Sequence, residues 1–295
     1  MTRITQTRKS ISVTDTATWV AMYRAIESDR PDALFHDPYA RKLAGEEGEE
    51  LLRRMPRARQ YAGPMIVRTA AIDNLIKEVI QRDRIDLVVN LAAGLDARPY
   101  RMELPQNLQW VEVDYPRMIE EKSKALADET PHCKLERLGV DLADRDARRA
   151  LLQRVGAMGT KGLFISEGLL VYLSAEQVSE LAQDLAAQPT VRFWITDIAA
   201  PLVLKIMKRT WSRRFTADSA TFQFAPKEGA AFFARYGWQL ERYYSTFLDL
   251  FRLHREPSMA WLWRLFYPRW ARQEVNRRSG PMTGTLLLSR QLEAT

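Results

Sequence analysis

The 295-residue sequence contains one cysteine, Cys133, and only three histidines. A single thiol excludes an intramolecular disulfide framework and any multi-cysteine zinc site, which fits a reducing compartment. We interpret Cys133 as a small buried apolar residue. The histidines, His36, His132 and His254, are scattered, and none lies in a motif with an acidic partner. We therefore assign them structural or surface roles and predict no metal site.

Long apolar runs are also missing from this sequence. The longest one near the middle, Ile198 to Leu204, contains Pro201 and is far too short for a membrane span. The first ten residues are polar and basic and lead into no apolar stretch, so a signal peptide is not expected. The sequence therefore predicts a soluble, cytoplasmic protein with no transmembrane segment.

The composition nevertheless provides a large core. Apolar residues make up 46% of the chain and charged residues 27%, which excludes intrinsic disorder and a fibrous repeat. The 44 Lys and Arg residues outnumber the 37 Asp and Glu residues, and the formal net charge is +7. A positive surface favours anions, but the charge alone does not choose among nucleic acid, an anionic membrane and an acidic small molecule.

The apolar spacing divides the chain into helical and strand-like parts. Helical periodicity predicts helices at Thr14–Ser28 and Met65–Arg82, and opposite charges at helical spacing predict a solvated helix at Glu46–Arg59. From Ile85 onward, short apolar runs alternate with helical patterns, which is typical of βαβ units in a doubly wound α/β sheet. The predicted strands are Leu87–Leu91, Gln109–Val113, Leu135–Val140, Leu163–Ile165, Val191–Ile195, Trp238–Phe247 and Met282–Ser289.

No internal repeat or linker divides the chain, so we predict one domain over residues 1–295. Residues 1–84 form a helical cap, and residues 85–197 form the core. Residues 198–236 form an insertion, rich in Arg and aromatics at its start and containing a helix at Lys227–Tyr236, that closes over the site as a lid. Residues 237–295 carry the last two strands and an aromatic segment.

The most informative segment, Asn90–Arg98, follows the first buried strand. Small residues at the carboxyl end of a strand let a ligand approach the backbone, and open α/β sheets bind ligands at such a crevice. Only Gly94 of the three glycines of a dinucleotide fingerprint is present, which disfavours a nicotinamide-dependent dehydrogenase. No Gly-Lys-Ser or Gly-Lys-Thr follows, so the segment is not a P-loop.

Acidic residues follow three further strands. Asp114 ends the second strand, where a carboxylate can accept hydrogen bonds from ribose hydroxyls. Asp141 ends the third strand and could accept from the exocyclic amine of adenine. Glu167 ends the fourth strand in apolar surroundings, which is costly without a partner, and the ammonium group of a ligand would supply one. Each acid alone could also be a helix cap or a solvated turn residue.

These segments together resemble the leucine carboxyl methyltransferase family, and most closely its bacterial S-adenosylmethionine-dependent O-methyltransferases, which include polyketide tailoring enzymes of secondary metabolism. The resemblance implies a class I methyltransferase fold, which is Rossmann-like and whose seven-stranded sheet ends in an antiparallel strand. The matching pieces are Thr16-Ala17, Arg24-Ala25, Arg30–Leu34, Asp37–Tyr39, Val88–Arg101, Trp110–Pro116, Val140–Leu142 and Ser166–Leu173, with weaker similarity at Phe222–Pro226 and Gly237-Trp238.

The resemblance also implies the cofactor, S-adenosyl-L-methionine, and the residues that bind it. One departure from the family is Ala92, where glycine is frequent. Carried over by motif, Arg68 would hold the methionine carboxylate, Ala92, Ala93, Gly94 and Asp96 would form the loop against the cofactor, Asp114 would bind the ribose, Asp141 and Leu142 would bracket adenine, and Glu167 would lie beside the methionine moiety.

The expected reaction is methyl transfer to a small or medium anionic acceptor, with a carboxylate ahead of a phenolic or enolic hydroxyl. A carboxylate is ionised at neutral pH and needs no general base, whereas a phenol with a pKa near ten needs a base or a polarising cation. The candidates that would orient such an acceptor are Arg24 and Tyr172. Arg24 could instead be a solvated helix residue, and Tyr172 could simply pack on the cofactor or lid. No general base is assigned.

The aromatic and arginine-rich stretch Trp261–Trp270 allows a second hypothesis, a non-catalytic binder of nucleic acid or of an anionic membrane surface. No RNA- or DNA-binding module accompanies the core, so we expect a small-molecule substrate and no nucleic acid. The same stretch could be a lid or a dimer surface, and the oligomeric state stays open, with a homodimer among the alternatives.

Overall fold

A computed structural model describes residues 13–54, 62–211, 222–257, 260 and 280–290. The strands are β1 (Leu87–Leu91), β2 (Gln109–Asp114), β3 (Lys134–Gly139), β4 (Gly162–Ser166), β5 (Val191–Ile198), β6 (Trp238–Ser245) and β7 (Gly284–Arg290). The helices are α1 (Val13–Ser28), α2 (Ala40–Arg54), α3 (Ala62–Asp83), α4 (Arg98–Arg101), α5 (Pro116–Ala125), α6 (Arg145–Gly156), α7 (Ala175–Ala186), α8 (Pro201–Trp211), α9 (Ala231–Ala234) and α10 (Thr246–Arg252).

The strands form one seven-stranded sheet in the order β3-β2-β1-β4-β5-β7-β6. Strands β1 to β5 are mutually parallel, and β7 is antiparallel to both β5 and β6. The chain moves outward from β1 to β3 and then returns to the other side of β1 for β4. The crevice between β1 and β4 is therefore the topological switch point, where open α/β sheets bind ligands.

Alternate residues of the central strands enter two separate cores, one on each face of the sheet. On one face, Val89 and Phe164 pack against α6, α7 and α9. On the other face, Val88 and Leu163 pack against α3. Because both faces of the strands are covered, the apolar runs that identified these strands in the sequence are continuous rather than alternating.

The N-terminal helices lie at the carboxyl end of the central strands. Met22 of α1 packs with Ala44 of α2, Leu95 after β1 and Met118 of α5 in one apolar cluster. The two helices also contact each other extensively, and α1 contacts α3. The cap therefore covers the edge of the sheet that contains the switch point.

The predicted doubly wound sheet and its antiparallel last strand are confirmed, and every predicted strand is present within a few residues. The prediction of a helix over Lys227–Tyr236 is wrong in extent, since only Ala231–Ala234 is helical and a turn precedes it. The expected insertion after β5 begins with the regular helix α8. The solvated helix predicted at Glu46–Arg59 begins earlier, at Ala40, and its last residues lie outside the described part, as does the stretch Trp261–Trp270.

Candidate functional site

An acidic side chain lies at or just beyond the carboxyl end of each of the five parallel strands. These ends share one edge of the sheet, so the five acids lie at that edge although they are far apart in the sequence. They are Asp96 after β1, Asp114 at the end of β2, Asp141 after β3, Glu167 after β4 and Asp197 near the end of β5.

An open cleft lies along this edge beside β2 and β3. Four of the residues that the sequence singled out line it together, namely Ala92, Asp114, Asp141 and Leu142. The cleft holds about 550 Å³ of space between atoms, part of which is open solvent. Its other lining residues are Tyr115, Val140, Ala143, Arg148, Leu169, Leu173, Gln177 and Leu181.

The loop after β1 has an unusual backbone. Ala92 and Gly94 both adopt positive φ angles, 54° and 46°. Glycine tolerates this region, whereas an alanine there is strained by about 1 kcal/mol. The loop is held at both sides, because the Ala93 N–H donates to the carbonyl of Val113 at 3.0 Å and the Gly94 N–H donates to the Asp114 carboxylate at 2.7 Å. The Ala92 departure from the family pattern therefore coincides with a left-handed residue.

Asp114 keeps much of its acceptor capacity for a ligand. Its Oδ2 accepts from the Gly94 N–H and its Oδ1 from the Tyr115 N–H, both at 2.7 Å. Each carboxylate oxygen accepts up to two hydrogen bonds, so each has room for another donor. Burial raises the pKa of Asp114, against the lowering effect of the two N–H groups. The adjacent Tyr115 is about half exposed and faces the cleft.

The far side of the cleft is formed by the loop after β3. Asp141 is exposed, and its carboxylate accepts from the Ala143 N–H at 2.9 Å, a local turn that leaves its other oxygen open. Arg148 of α6 donates to the carbonyl of Leu142 at 3.1 Å and forms an ion pair with Asp184 of α7 at 2.9 Å. Arg148 therefore fixes the position of Leu142.

At the end of the sheet beyond β4, the acidic side chains are paired with arginines. Arg68 of α3 donates through Nε to Glu167 at 3.0 Å and through Nη1 to Asp197 at 3.2 Å. Burial opposes the charge of Arg68, but Asp197 and Glu167 outweigh it and raise the pKa of the guanidinium. The partners of the semi-buried Glu167 in this structure are thus guanidinium groups of the protein itself.

Arg98 links this ion pair to the β1 loop. Its buried guanidinium reaches Glu167 at 2.9 Å, Asp96 at 2.7 Å and Asp73 at 2.6 Å. Burial favours the neutral form of Glu167, yet Arg98 and Arg68 lower the pKa of that carboxyl. Asp96 also accepts from the Asn90 amide at 2.7 Å and faces inward, so it does not line the cleft.

The two candidates for orienting the acceptor lie at the cap. Arg24 is buried, donates from Nε to Asp37 at 2.8 Å and from Nη2 to the Leu95 carbonyl at 2.5 Å, so its alternative interpretation as a solvated helix residue is wrong. Tyr172 follows β4 in a short 3-10 helix, and its ring packs on Phe222 at 5.3 Å. Burial raises its pKa, while a hydrogen bond with Thr16 of α1 lowers it. Both residues therefore connect the cap to the loops of the sheet.

Sequence reasoning missed four residues of this region, namely Arg98, Tyr115, Arg148 and Asp197. Tyr115 and Asp197 were visible, because one directly follows Asp114 and the other repeats the pattern of an acid near the end of a strand. The arginines follow no such pattern in the sequence, because Arg98 contacts Glu167, which lies far away in the chain.

Two further findings concern metals and membranes. Within the described ranges, no three His, Cys, Asp or Glu side chains are grouped so that they could hold a metal ion. Among the same residues, no helix combines the length and the apolar character that crossing a membrane requires. Cys133 is buried as expected, and burial raises the pKa of its thiol to about 12.

Comparison with known proteins gives the site a context. The sequence pattern of the leucine carboxyl methyltransferase family matches residues 17–186, which include most of α1, all of α3 and the first four strands. A Streptomyces avermitilis protein provisionally named as an S-adenosyl-L-methionine-dependent methyltransferase is 29% identical over 77% of this chain and 83% of its own length. A Mycolicibacterium smegmatis protein with the same provisional name is 32% identical over 78% of this chain and 83% of its own length.

A solved structure shares the fold. The crystal structure of a DUF574 family protein from Streptomyces avermitilis superposes with a TM-score of 0.54 and covers 92% of this chain and 97% of its own. The two sequences are 12% identical in this superposition, so the likeness concerns the fold.

Proposed function

Because this chain belongs to the leucine carboxyl methyltransferase family, we propose that it transfers the methyl group of S-adenosyl-L-methionine to an oxygen atom of a small or medium anionic acceptor. A carboxylate is the preferred acceptor, and a phenolic or enolic hydroxyl of a polyketide-like metabolite is the alternative. The observation that carries the proposal is the Asp114 carboxylate, which is anchored by two backbone N–H groups at a cleft and keeps room for ligand donors.

The adenosine part of the cofactor fits the cleft beside β2 and β3. Asp114 would accept hydrogen bonds from the ribose hydroxyls, and the negative charge of the carboxylate would strengthen these bonds. Asp141 has an open carboxylate oxygen for the exocyclic amine of adenine, and Leu142 offers an apolar surface for the base. Tyr115 would add an aromatic surface at the mouth of the cleft. Loss of the left-handed conformation at Ala92 would move the backbone against which the cofactor would pack.

The methionine part fits the end beyond β4. Nη2 of Arg68 has no partner among the described residues, whereas its Nε donates to Glu167 and its Nη1 to Asp197. Arg68 would hold the carboxylate of the cofactor, and Glu167 would lie near its ammonium group. Arg24, whose donors reach Asp37 and Leu95, would act by fixing the loop before Asp96. Asp96 would act by holding Arg98.

The bound cofactor supplies a methyl group on a sulfonium, which is open to in-line attack by an oxygen nucleophile. The protein needs to align this nucleophile and exclude water, and alignment alone can supply several kcal/mol of the barrier. Tyr172 is placed at the cap, and burial raises its pKa, so its hydroxyl stays protonated at neutral pH and can donate to an acceptor oxygen. A carboxylate acceptor then needs no general base.

Titration calorimetry with S-adenosylmethionine and S-adenosylhomocysteine tests the cofactor site. The wild-type protein should bind both, and Asp114→Ala should weaken binding by about 100-fold, since charged hydrogen bonds contribute about 1.5–3 kcal/mol each. No binding by the wild type, or equal binding by Asp114→Ala, would contradict the proposal. Asp249→Ala is the matched control, because that carboxylate lies on α10 and pairs within its own helix.

A label-transfer assay tests the acceptor group. The protein is incubated with methyl-labelled S-adenosylmethionine and separate panels of small carboxylic acids, phenols, amines and thiols. Methyl esters hydrolyse in mild alkali and release labelled methanol, whereas aryl methyl ethers do not. Alkali-labile label supports the carboxylate, and alkali-stable label on a phenol supports the alternative. Label on nitrogen or sulfur acceptors alone would overturn O-methylation.

A further inference from the structure

Asp197, near the end of β5, joins the turn after β4 to helix α3, although no sequence motif connected these segments. Its Oδ1 accepts from the Gly168 N–H at 2.6 Å, and its Oδ2 accepts from Nη1 of Arg68 at 3.2 Å. The side chain is 18% exposed, so these bonds are largely shielded from water. Asp197 thus uses one oxygen for the turn after β4 and the other for α3.

The contact determines how Arg68 is oriented. Glu167 holds Nε and Asp197 holds Nη1, so two of the three guanidinium nitrogens are fixed and the planar group has one available orientation. Nη2, which has no partner among the described residues, is thereby directed by the other two. Gly168 permits this arrangement, because its φ is 66° and a Cβ there would lie 3.3 Å from Nη1.

We propose that Asp197 is a positioning residue that aims Arg68 at the amino-acid end of the methyl donor, an inference that rests on the proposed function. A guanidinium held in its binding orientation loses less side-chain freedom when a ligand carboxylate arrives. Asp197 would therefore strengthen binding of ligands that carry the amino-acid group, without touching the ligand itself.

The two oxygens of Asp197 can be tested separately. In Asp197→Asn, the amide oxygen can still accept from the Gly168 N–H, but the charge that holds Arg68 is lost. In Asp197→Ala, both bonds are lost. Asp249→Asn is the matched control, since Asp249 is a buried carboxylate that pairs with Arg252 on its own helix.

The full chain is titrated with two ligands, S-adenosylhomocysteine and 5′-methylthioadenosine, and the second shares the adenosine and thioether but has no amino-acid group. Asp197→Asn should raise the dissociation constant of S-adenosylhomocysteine by about 5- to 10-fold, the effect of one immobilised side chain. The same variant should change the constant of 5′-methylthioadenosine less than about twofold. Asp249→Asn should alter neither, and thermal unfolding is recorded for each variant.

The pattern across ligands decides the outcome. A loss confined to S-adenosylhomocysteine supports the positioning role, and Asp197→Ala should add a loss for both ligands. Equal losses for both ligands in Asp197→Asn would indicate a general structural role and overturn the inference. Unchanged or tighter binding of S-adenosylhomocysteine would also overturn it, since Asp197 would then be idle or compete with the ligand carboxylate. If wild-type protein binds neither ligand, the proposed function itself fails.

Discussion

The acidic side chains at the two ends of the carboxyl edge of the sheet have different kinds of partner. At the β2–β3 end, Asp114 and Asp141 accept from backbone N–H groups and face an open cleft. At the β4–β5 end, Glu167 and Asp197 are paired with Arg68, and Glu167 also with Arg98. A backbone donor leaves a carboxylate its negative charge, whereas an arginine neutralises it.

Under the proposed function, the first end serves ligand recognition alone, whereas the second end combines ligand contact with structural support. The acids at the first end keep free acceptor capacity, and the protein obtains little stability from them. The acids at the second end belong to a buried network with Asp73, Asp96 and Arg101, in which removing one member leaves another charge unpaired. Substitutions at the first end should therefore mainly weaken ligand binding, whereas substitutions at the second end should mainly lower the free energy of unfolding.

The largest effect is expected for Arg98→Gln. This change leaves Glu167, Asp96 and Asp73 without a shared cation in a buried site, and breaking a buried pair costs about 3–5 kcal/mol. The free energy of unfolding from urea titration should fall by about this amount.

Arg117→Gln is the control for this variant. Arg117 pairs with Glu121 on the exposed face of α5, so its loss should leave the unfolding transition unchanged. A similar stability for Arg98→Gln and the wild type would show that the network is not a structural unit.

Asp114→Asn should weaken ligand binding strongly and affect the free energy of unfolding little. The dissociation constant for S-adenosylhomocysteine should rise by about 30- to 100-fold, because a neutral amide is a weaker acceptor for ribose hydroxyls than a carboxylate. Stability should fall by no more than about 1–2 kcal/mol, because one of the two backbone N–H donors loses its acceptor. Removal of the charge offsets part of this loss, since burial raises the pKa of Asp114 and its charge disfavours folding at neutral pH. Calorimetry and urea unfolding measure the two effects, and a large loss of stability would contradict the distinction between the ends.

The sheet could be predicted because its signals are local. Strands β1, β2, β4 and β5 are short, mostly apolar runs that are buried on both faces. The edge strand β3 is only partly buried, but its Leu135 and Leu138 still mark it. The helix prediction over Lys227–Tyr236 is wrong for a local reason too, because Gly229 adopts a φ of 62°, which interrupts a helix. A Cβ at this position would clash with the Gly280 carbonyl oxygen.

The site was predictable only in part. Asp114, Asp141 and Leu142 follow strands, and the parallel topology brings them together at one cleft. The arginine network was not predictable, because Arg98 contacts Asp73 and Glu167, which lie 25 and 69 positions away in the chain, and no periodicity encodes such pairs. The same limit applies to Arg24, whose burial depends on contacts with Asp37 and the Leu95 carbonyl.

Two reciprocal substitutions compare backbone strain at the two ends. Ala92→Gly should raise the free energy of unfolding by about 0.5–1 kcal/mol, because its φ of 54° suits glycine better than alanine. Gly168→Ala should lower it by about 1–2 kcal/mol, since its φ is 66° and the added Cβ would approach Arg68 at 3.3 Å. Equal and small effects in both variants would show that neither turn is strained.

The smallest effect is expected on acidification, because the pKa values at the two ends are shifted in opposite directions. Burial raises the pKa of Asp114, whereas Arg98 and Arg68 outweigh burial and lower that of Glu167. As the pH falls from 7, Asp114 therefore takes up a proton at a higher pH than an ordinary aspartate does, whereas Glu167 stays ionised to a lower pH than an ordinary glutamate. The dissociation constant of 5′-methylthioadenosine should rise as Asp114 becomes protonated.

Stability should behave differently over the same range. The contribution of Glu167 is present above its unfolded pKa and is lost only as the pH falls through its lowered folded value, below the ordinary value of 4.5. The ionised Asp114 disfavours folding, and this penalty fades as the pH falls through its raised value. The unfolding free energy that these two groups contribute should therefore hold or rise slightly while binding weakens. Asp114→Asn should abolish the pH dependence of binding, and a dependence that persists in this variant would assign the titration to another group.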